Sequence, residues 1–260
     1  MKYFVIAGEA SGDLHGGNLL KELYQVDKEA DVQFWGGDYM ASFAGKPLKH
    51  INELAFMGFV EVLMNLRTIL GNMKLCKKQI LDFKPDAIIM IDYPGFNLRI
   101  AEWAKEHDIK IYYYISPQVW AWKQKRVHKI KKLVDHMMVI LPFEKDFYKK
   151  FDYDVEFVGH PLIDAIDNFK PALSADRKEE AKPIAFDKKV IALLPGSRQQ
   201  EVKVKLPIML SVASTFPEYQ FVIAGAPTLD KTFYETFTKE FPNVSIVFNQ
   251  TYQLLSQSHA

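Results

Sequence analysis

Tyr3-Phe4-Val5-Ile6-Ala7 runs directly into Gly8-Glu9-Ala10-Ser11-Gly12-Asp13, and a helical pattern follows. An apolar strand, a glycine-bearing turn and a helix N-terminus open an α/β sheet that binds ligands at its strand ends. The turn carries two carboxylates, Glu9 and Asp13, which repel a phosphate and suit hydroxyl groups or protons. It is not a Walker A loop, because Asn18-Leu19 stand where Lys and Ser/Thr are required. It is not a dinucleotide fingerprint either, because no second glycine follows Gly8 at the right spacing. Asp13 or Ser11 also suits the N-cap of the helix, with Glu9 solvated.

The same rhythm continues along the chain. Short apolar runs at residues 3–7, 32–35, 87–91, 109–114, 136–140 and 155–158 read as strands. Helical patterns at 13–25, 60–83, 98–107, 123–134 and 144–150 alternate with them. Continuously apolar strands with helical crossovers predict a parallel sheet covered on both faces. Residues 168–188 break the pattern with Pro171, Pro183 and the run Asp176-Arg177-Lys178-Glu179-Glu180, which reads as a linker. Strands at 190–194, 220–224 and 244–248 and a helix at 202–216 then restart it. The expected organisation is an N-terminal Rossmann-like domain at 1–168, a linker at 169–188, and a partial second Rossmann-like domain at 189–260. With three strands, the second sheet is expected to leave its edges unpaired.

Composition narrows the class. Hydrophobic residues make up 48% and charged residues 25%, with a net charge of +1, so nothing attracts the chain globally to nucleic acid. A single cysteine, Cys76, excludes a disulfide framework, suits a reducing cytoplasm and reads as a packed helix residue. No stretch approaches the roughly 20 apolar residues of a membrane-spanning helix, and the N-terminus lacks a signal-peptide pattern. No cluster has metal-ligand spacing. Neither a metal nor a cofactor is expected.

Three further strand ends carry chemistry. In Ile91-Asp92-Tyr93-Pro94-Gly95-Phe96-Asn97, Asp92 closes a buried strand, where low dielectric raises a carboxyl pKa towards that of a general base; a turn role ahead of Pro94 is the bland alternative. In Ser116-Pro117-Gln118-Val119-Trp120-Ala121-Trp122, hydroxyl, amide and indole groups suit a carbohydrate, while core packing is the more common fate of tryptophan. Lys123, Lys125, Arg126, Lys129, Lys131 and Lys132 surround Val127, Ile130 and Leu133, an amphipathic basic helix that is a solvated face or meets anionic headgroups. In Leu194-Pro195-Gly196-Ser197-Arg198, a small turn places an arginine at a helix start, which suits a diphosphate; pairing of Arg198 with Glu201 is the alternative. His160, in Gly159-His160-Pro161, is a ligand contact or a turn residue.

Together these segments, with Met57-Gly58-Phe59-Val60-Glu61-Val62 and Leu141-Pro142-Phe143-Glu144-Lys145, resemble the lipid-A-disaccharide synthase family in order, from Gly8 to Arg198. The resemblance implies a GT-B fold: two Rossmann-like halves facing a cleft, the second incomplete here. It implies a metal-free, inverting transfer of a 2,3-diacylglucosaminyl unit from UDP to 2,3-diacylglucosamine 1-phosphate (lipid X), giving a β-1,6 disaccharide phosphate and UDP. On this reading Asp92 is the leading candidate base, with Glu9 and Asp13 as sugar-orienting rivals. Gly196, Ser197, Arg198 and His160 contact the donor. Ser11, Asn97, Ser116, Gln118, Trp120 and Met57 contact the acceptor. Phe56, Phe59, Val62, Leu63 and Met64 shelter acyl chains or pack a core.

The expected setting is the cytoplasm, with the basic helix 123–132 against the anionic inner face of the inner membrane. Many members carry aspartate where this chain has Gly95, so any catalytic role of that position is lost here or carried by Asp92. The family's Ser-Gly-Thr-rich donor loop is absent before Ala260. Two other readings remain: an acceptor-lipid-binding module without activity, and another GT-B UDP-sugar enzyme such as a 2-epimerase.

Overall fold

The computed structural model describes residues 1–54, 66–169 and 186–260. The expected acyl-sheltering residues 56–64, including Met57, and most of the expected linker lie outside the described residues. The chain divides into two compact units, Met1–Pro161 and Leu162–Ala260.

The first unit begins with β1 (Lys2–Ala7), α1 (Ala10–Val26), β2 (Asp31–Gly36), α2 (Asp38–Ala44) and β3 (Lys49–His50). It continues through α3 (Leu66–Phe83), β4 (Ala87–Ile91), α4 (Pro94–Lys105) and β5 (Lys110–Tyr114). After the single turn α5 (Val119–Trp122) come α6 (Val127–Leu133), β6 (His136–Val139), α7 (Pro142–Lys149) and β7 (Glu156–Phe157). All strands are parallel, in the order β3-β2-β1-β4-β5-β6-β7.

Alternation within the strands explains the layers. Phe4, Ile6, Ile88 and Met90 face one cluster with Cys76, Ile80, Ile100 and Val127. Val5, Ala7, Ile89 and Ile91 face the other cluster with Leu20 and Met40. Both faces of β1 and β4 are buried, as a parallel sheet between helical layers requires. Cys76 is fully buried, and burial pushes its thiol well above the usual range. It is a packed residue, as expected.

The second unit contains β8 (Val190–Leu193), α9 (Gln199–Ala213), β9 (Gln220–Gly225), α10 (Lys231–Thr238), β10 (Val244–Phe248) and α11 (Thr251–Gln257). Its parallel sheet has the order β10-β9-β8. Val202, Leu206, Leu210 and Ala213 recur at helical spacing and seat α9 on Phe221 and Ile223. The expectation of an unpaired β8 edge is corrected. His259 donates to Val190 O at 2.7 Å and Ala192 donates to Ala260 O at 2.8 Å, so the residues after α11 lie along β8. Helix α8 (Pro161–Phe169) starts at the boundary of the two units. No described helix is long and apolar enough to cross a membrane.

The basic helix expected at 123–134 is also corrected. Lys123 takes φ −132°, a 3₁₀ turn spans Gln124–Arg126, and α6 has only seven residues. The apolar face survives, with Val127 and Ile130 fully buried. Its lysines are partly engaged: Lys129 pairs with Glu102 at 2.8 Å, and Lys131 donates to Phe151 O at 3.1 Å.

Candidate functional site

In the first unit, β1 leads to β2 on one side and neighbours β4 on the other. Such a switch point opens a crevice beyond the C-terminal strand ends. Register makes those ends level, because Ala7 pairs with Ile91, Ile91 with Tyr114, and Tyr114 with Met138. The residues that follow, Gly8-Glu9, Asp92-Tyr93 and Ile115-Ser116, therefore form one row.

The row is strained. Asp92, Tyr93 and Ile115 take φ of 41°, 49° and 66°, a region that L-residues with side chains rarely adopt. The turn at Asp92 is clamped from beneath through its carbonyl, which accepts from Tyr113 Oη at 2.6 Å and Asn97 Nδ2 at 2.7 Å. Tyr113 and Asn97 are fully buried. Asn97 was expected to touch the acceptor; its amide instead holds backbone. The clamp leaves the Asp92 side chain, half-buried, at the rim.

Glu9 is the N-cap of α1, with extended φ −141° and no side-chain cap bond. The Tyr93 ring lies directly over Gly8, where a Cβ would approach it to 2.3 Å. Burial raises the Tyr93 pKa, and the charge of Glu9 raises it further. Tyr93 stacks on Phe96 at 5.6 Å and donates to Leu54 O at 3.5 Å. It is a member of the row that the sequence reading did not single out, although Gly8 opposite an aromatic turn residue was a usable signal.

Asp13 does not cap its own helix, which starts at Ala10. Buried, it reaches across to the start of α2. Its Oδ1 accepts from Gly37 N at 2.7 Å and Met40 N at 3.0 Å, and its Oδ2 from Tyr39 N at 3.0 Å. These amides are orphans at the α2 N-terminus, so Asp13 caps the neighbouring helix. The glycines of α1 serve the same joint: a Cβ on Gly16 would stand 2.6 Å from Met40 Sδ, and one on Gly17 2.3 Å from the Tyr39 ring. Ser11 stays exposed.

The third loop is divided. Ser116 is buried, and its Oγ meets Tyr148 Oη at 2.6 Å and donates to Pro117 O at 3.1 Å. Ser116 is thus bound inward rather than presented to an acceptor. Burial pushes the Tyr148 phenol up to about 12, against the pull of the Ser116 hydroxyl. Trp120 packs edge-on against Phe143 at 4.9 Å, whereas Gln118 and Trp122 are exposed.

Glu144, 1% exposed, completes the α7 capping box by accepting from Leu141 N at 3.0 Å. Burial raises its carboxyl above the ordinary range, while the Leu141 and Ile140 amides hold it down. A carboxyl with a raised folded pKa contributes stability that is lost as pH rises through that value. The melting temperature of Glu144→Gln minus that of the parent is therefore expected to grow from pH 4 to pH 7 in calorimetry. A constant difference would contradict this assignment.

In the second unit, the corresponding strand end is that of β8. Gly196 takes φ 122°, and a Cβ there would stand 2.3 Å from Glu201 Oε2, so only glycine fits. Arg198 is the N-cap of α9 and lies 3.9 Å from Glu201 Oε1. Thr228 donates to Ser197 O at 3.4 Å, tying the loop to the end of β9. The Arg198–Glu201 pairing weighed from sequence is present. It is partly exposed and hence weak, so an anion can displace it.

Comparison with known proteins agrees with this geometry. A family model described as lipid-A-disaccharide synthetase matches residues 3–260. The chain is 40% identical to a lipid-A-disaccharide synthase of Syntrophus aciditrophicus, covering 98% of this chain and 68% of that protein. It is 41% identical to one of Trichlorobacter lovleyi, covering 88% and 60%. The chain thus spans about two thirds of the length of these relatives. Among solved structures it is similar to a UDP-GlcNAc 2-epimerase from Neisseria meningitidis bound to UDP-GlcNAc, with a TM-score of 0.68, 18% identity and coverage of 100% and 76%. It is also similar to the glycotransferase of kitacinnamycin, with a TM-score of 0.58, 13% identity and coverage of 99% and 73%. At those identities the structures establish the GT-B fold alone.

Proposed function

The chain belongs to the lipid-A-disaccharide synthetase family of glycosyltransferases, and on that premise we propose that it acts in the transfer of a 2,3-diacylglucosaminyl unit from UDP to 2,3-diacylglucosamine 1-phosphate. The observation that carries this reading is that the family match, over residues 3–260, includes both switch-point loops, residues 8–13 and 194–198. Asp92 takes the proton of the acceptor 6-hydroxyl, and the released alkoxide attacks the anomeric carbon from the face opposite UDP. Glu9 orients acceptor hydroxyls beside Tyr93. Asp13 is a positioning residue that holds α1 to α2. Gly196, Ser197 and Arg198 neutralise charge on the departing diphosphate. Trp122, 70% exposed with Lys123 Nζ 4.2 Å above its ring, and the lysines beyond it suit an anionic membrane surface.

Incubation with both lipid substrates tests the reading, with disaccharide phosphate and UDP as the expected products. Acceptor binding without UDP binding would support a non-catalytic module instead. Turnover of UDP-sugar alone would support an epimerase. Arg198→Ala is expected to weaken UDP binding by about tenfold or more, since a hydrogen bond to a charged group contributes roughly 1.5–3 kcal/mol. Unchanged UDP affinity in calorimetry would remove Arg198 from the donor site.

A further inference from the structure

Gly8 and Tyr93 meet where the turns after β1 and β4 lie side by side, and the contact admits nothing larger than glycine. A Cβ on Gly8 would run into Cγ, Cδ1 and Cε1 of the Tyr93 ring. The ring has little room to retreat. It stacks on Phe96 at 5.6 Å, Phe96 in turn lies 5.5 Å from Trp35, and both of these are buried. The Trp35 indole is anchored by donating to Gln79 Oε1 at 2.7 Å. Three rings therefore form one column running into the core, and Gly8 closes its end. The backbone that carries the ring is equally constrained. Asp92 and Tyr93 are consecutive left-handed residues, with φ of 41° and 49°. Such a conformation is costly for residues with side chains and persists where the surrounding packing over-determines it. Here the Tyr93 carbonyl accepts from the Phe96 and Asn97 N–H groups at 3.2 and 3.0 Å, which ties the turn to the start of α4.

Two carboxylates flank this contact. Glu9 follows Gly8 and Asp92 precedes Tyr93, so each is one residue from the touching pair. The pairing of Ala7 with Ile91 sets the two turns level, and the ring on Gly8 sets how closely they approach. We propose that Tyr93 is a positioning residue for the transfer: packed on Gly8, its ring fixes the spacing of Glu9 and Asp92 and so aims the base at the acceptor hydroxyl. The proposal rests on the glycosyltransferase reading and deepens it. It assigns Gly8 a role in the same device, as the residue whose missing side chain lets the ring close on the β1 turn.

A double-mutant cycle on the 260-residue chain tests this, read as kcat, acceptor KM and melting temperature. Tyr93→Ala and Gly8→Ala are each expected to lower kcat by about 10²-fold, the cost of a misplacement of about 1 Å, with acceptor KM moved by less. The double variant Gly8→Ala/Tyr93→Ala is expected to lose no more than Tyr93→Ala alone and to melt above Gly8→Ala, because the added methyl enters the space the ring left. Independent sites would instead multiply their losses. Tyr93→Phe keeps the ring and is expected to lose only a few-fold in kcat. Should Gly8→Ala not fold, Tyr93→Phe against Tyr93→Ala decides. Equal losses in those two overturn the proposal, since the hydroxyl and not the packed ring would then carry the effect. Multiplied losses in the double variant, or lowered melting with the kcat of the folded protein unchanged, overturn it too and leave the transferase reading intact. No transfer by the parent chain overturns the transferase reading itself, while recovered melting in the double variant still shows the contact.

Discussion

Asp92→Asn is expected to lower kcat by about 10²- to 10⁴-fold, the usual worth of a positioned general base, with acceptor binding unchanged. That corresponds to about 3–5 kcal/mol of barrier. The substitution is a clean probe because the turn around Asp92 is not held by its side chain alone. Tyr113 and Asn97 clamp its carbonyl from the buried side, and neither contact depends on the carboxylate. Asparagine retains the shape and loses the proton acceptor. Single-turnover kinetics with both lipid substrates separates chemistry from binding. Near-normal turnover would transfer the base role to Glu9, the other carboxylate of the row. A rise in acceptor KM with kcat preserved would mean that Asp92 binds the sugar and does not take its proton.

Asp13→Ala is expected to destabilise the chain by about 3–5 kcal/mol, because three amides at the start of α2, two of them buried, lose their acceptor at about 1–3 kcal/mol each before relaxation. Thermal unfolding followed by circular dichroism should show a fall of about 10 °C, at roughly 2–4 °C per kcal/mol for a unit of this size. Asp13→Asn keeps one oxygen and should fall between the two. The packing argues for a large effect, since Gly37 has no room for a Cβ beside Asp13 Oδ2, at 2.6 Å. Unchanged melting with lost activity would overturn the positioning role and return Asp13 to the list of substrate-contacting carboxylates.

These two carboxylates illustrate the limit of what spacing conveys. From sequence, Asp92 leads as the base and Glu9 and Asp13 are its rivals, all three being acidic residues at or just past apolar strands. The strands themselves were legible, because Phe4-Val5-Ile6-Ala7 and Ala87-Ile88-Ile89-Met90-Ile91 are too short and too apolar for anything but a covered parallel sheet. The loops at their ends followed directly. What ranks the carboxylates is the destination of each side chain. Asp13 faces the β2–α2 turn, which lies 24 residues away in the chain at Gly37. No local pattern encodes that distance.

The third loop makes the same point. Ser116 and Trp120 carry polar groups suited to a sugar, yet the Ser116 hydroxyl is taken by Tyr148, 32 residues on. Short elements were missed for a related reason. The two residues of β3 and the seven of α2 have too little periodicity to register on their own, and neighbouring packing holds them. The basic segment was over-read as one helix, because the spacing of Val127, Ile130 and Leu133 says nothing of the break at Lys123.

The sequence by itself determined the alternation of strands and helices, the family, and the loops that follow the strand ends, because apolar periodicity and turn chemistry are local properties. Only the tertiary structure decided which carboxylate is bound inward, which tyrosine lies over Gly8, and which hydroxyl Tyr148 engages. Those facts depend on strand order and register, which bring residues far apart in the chain to one row of strand ends.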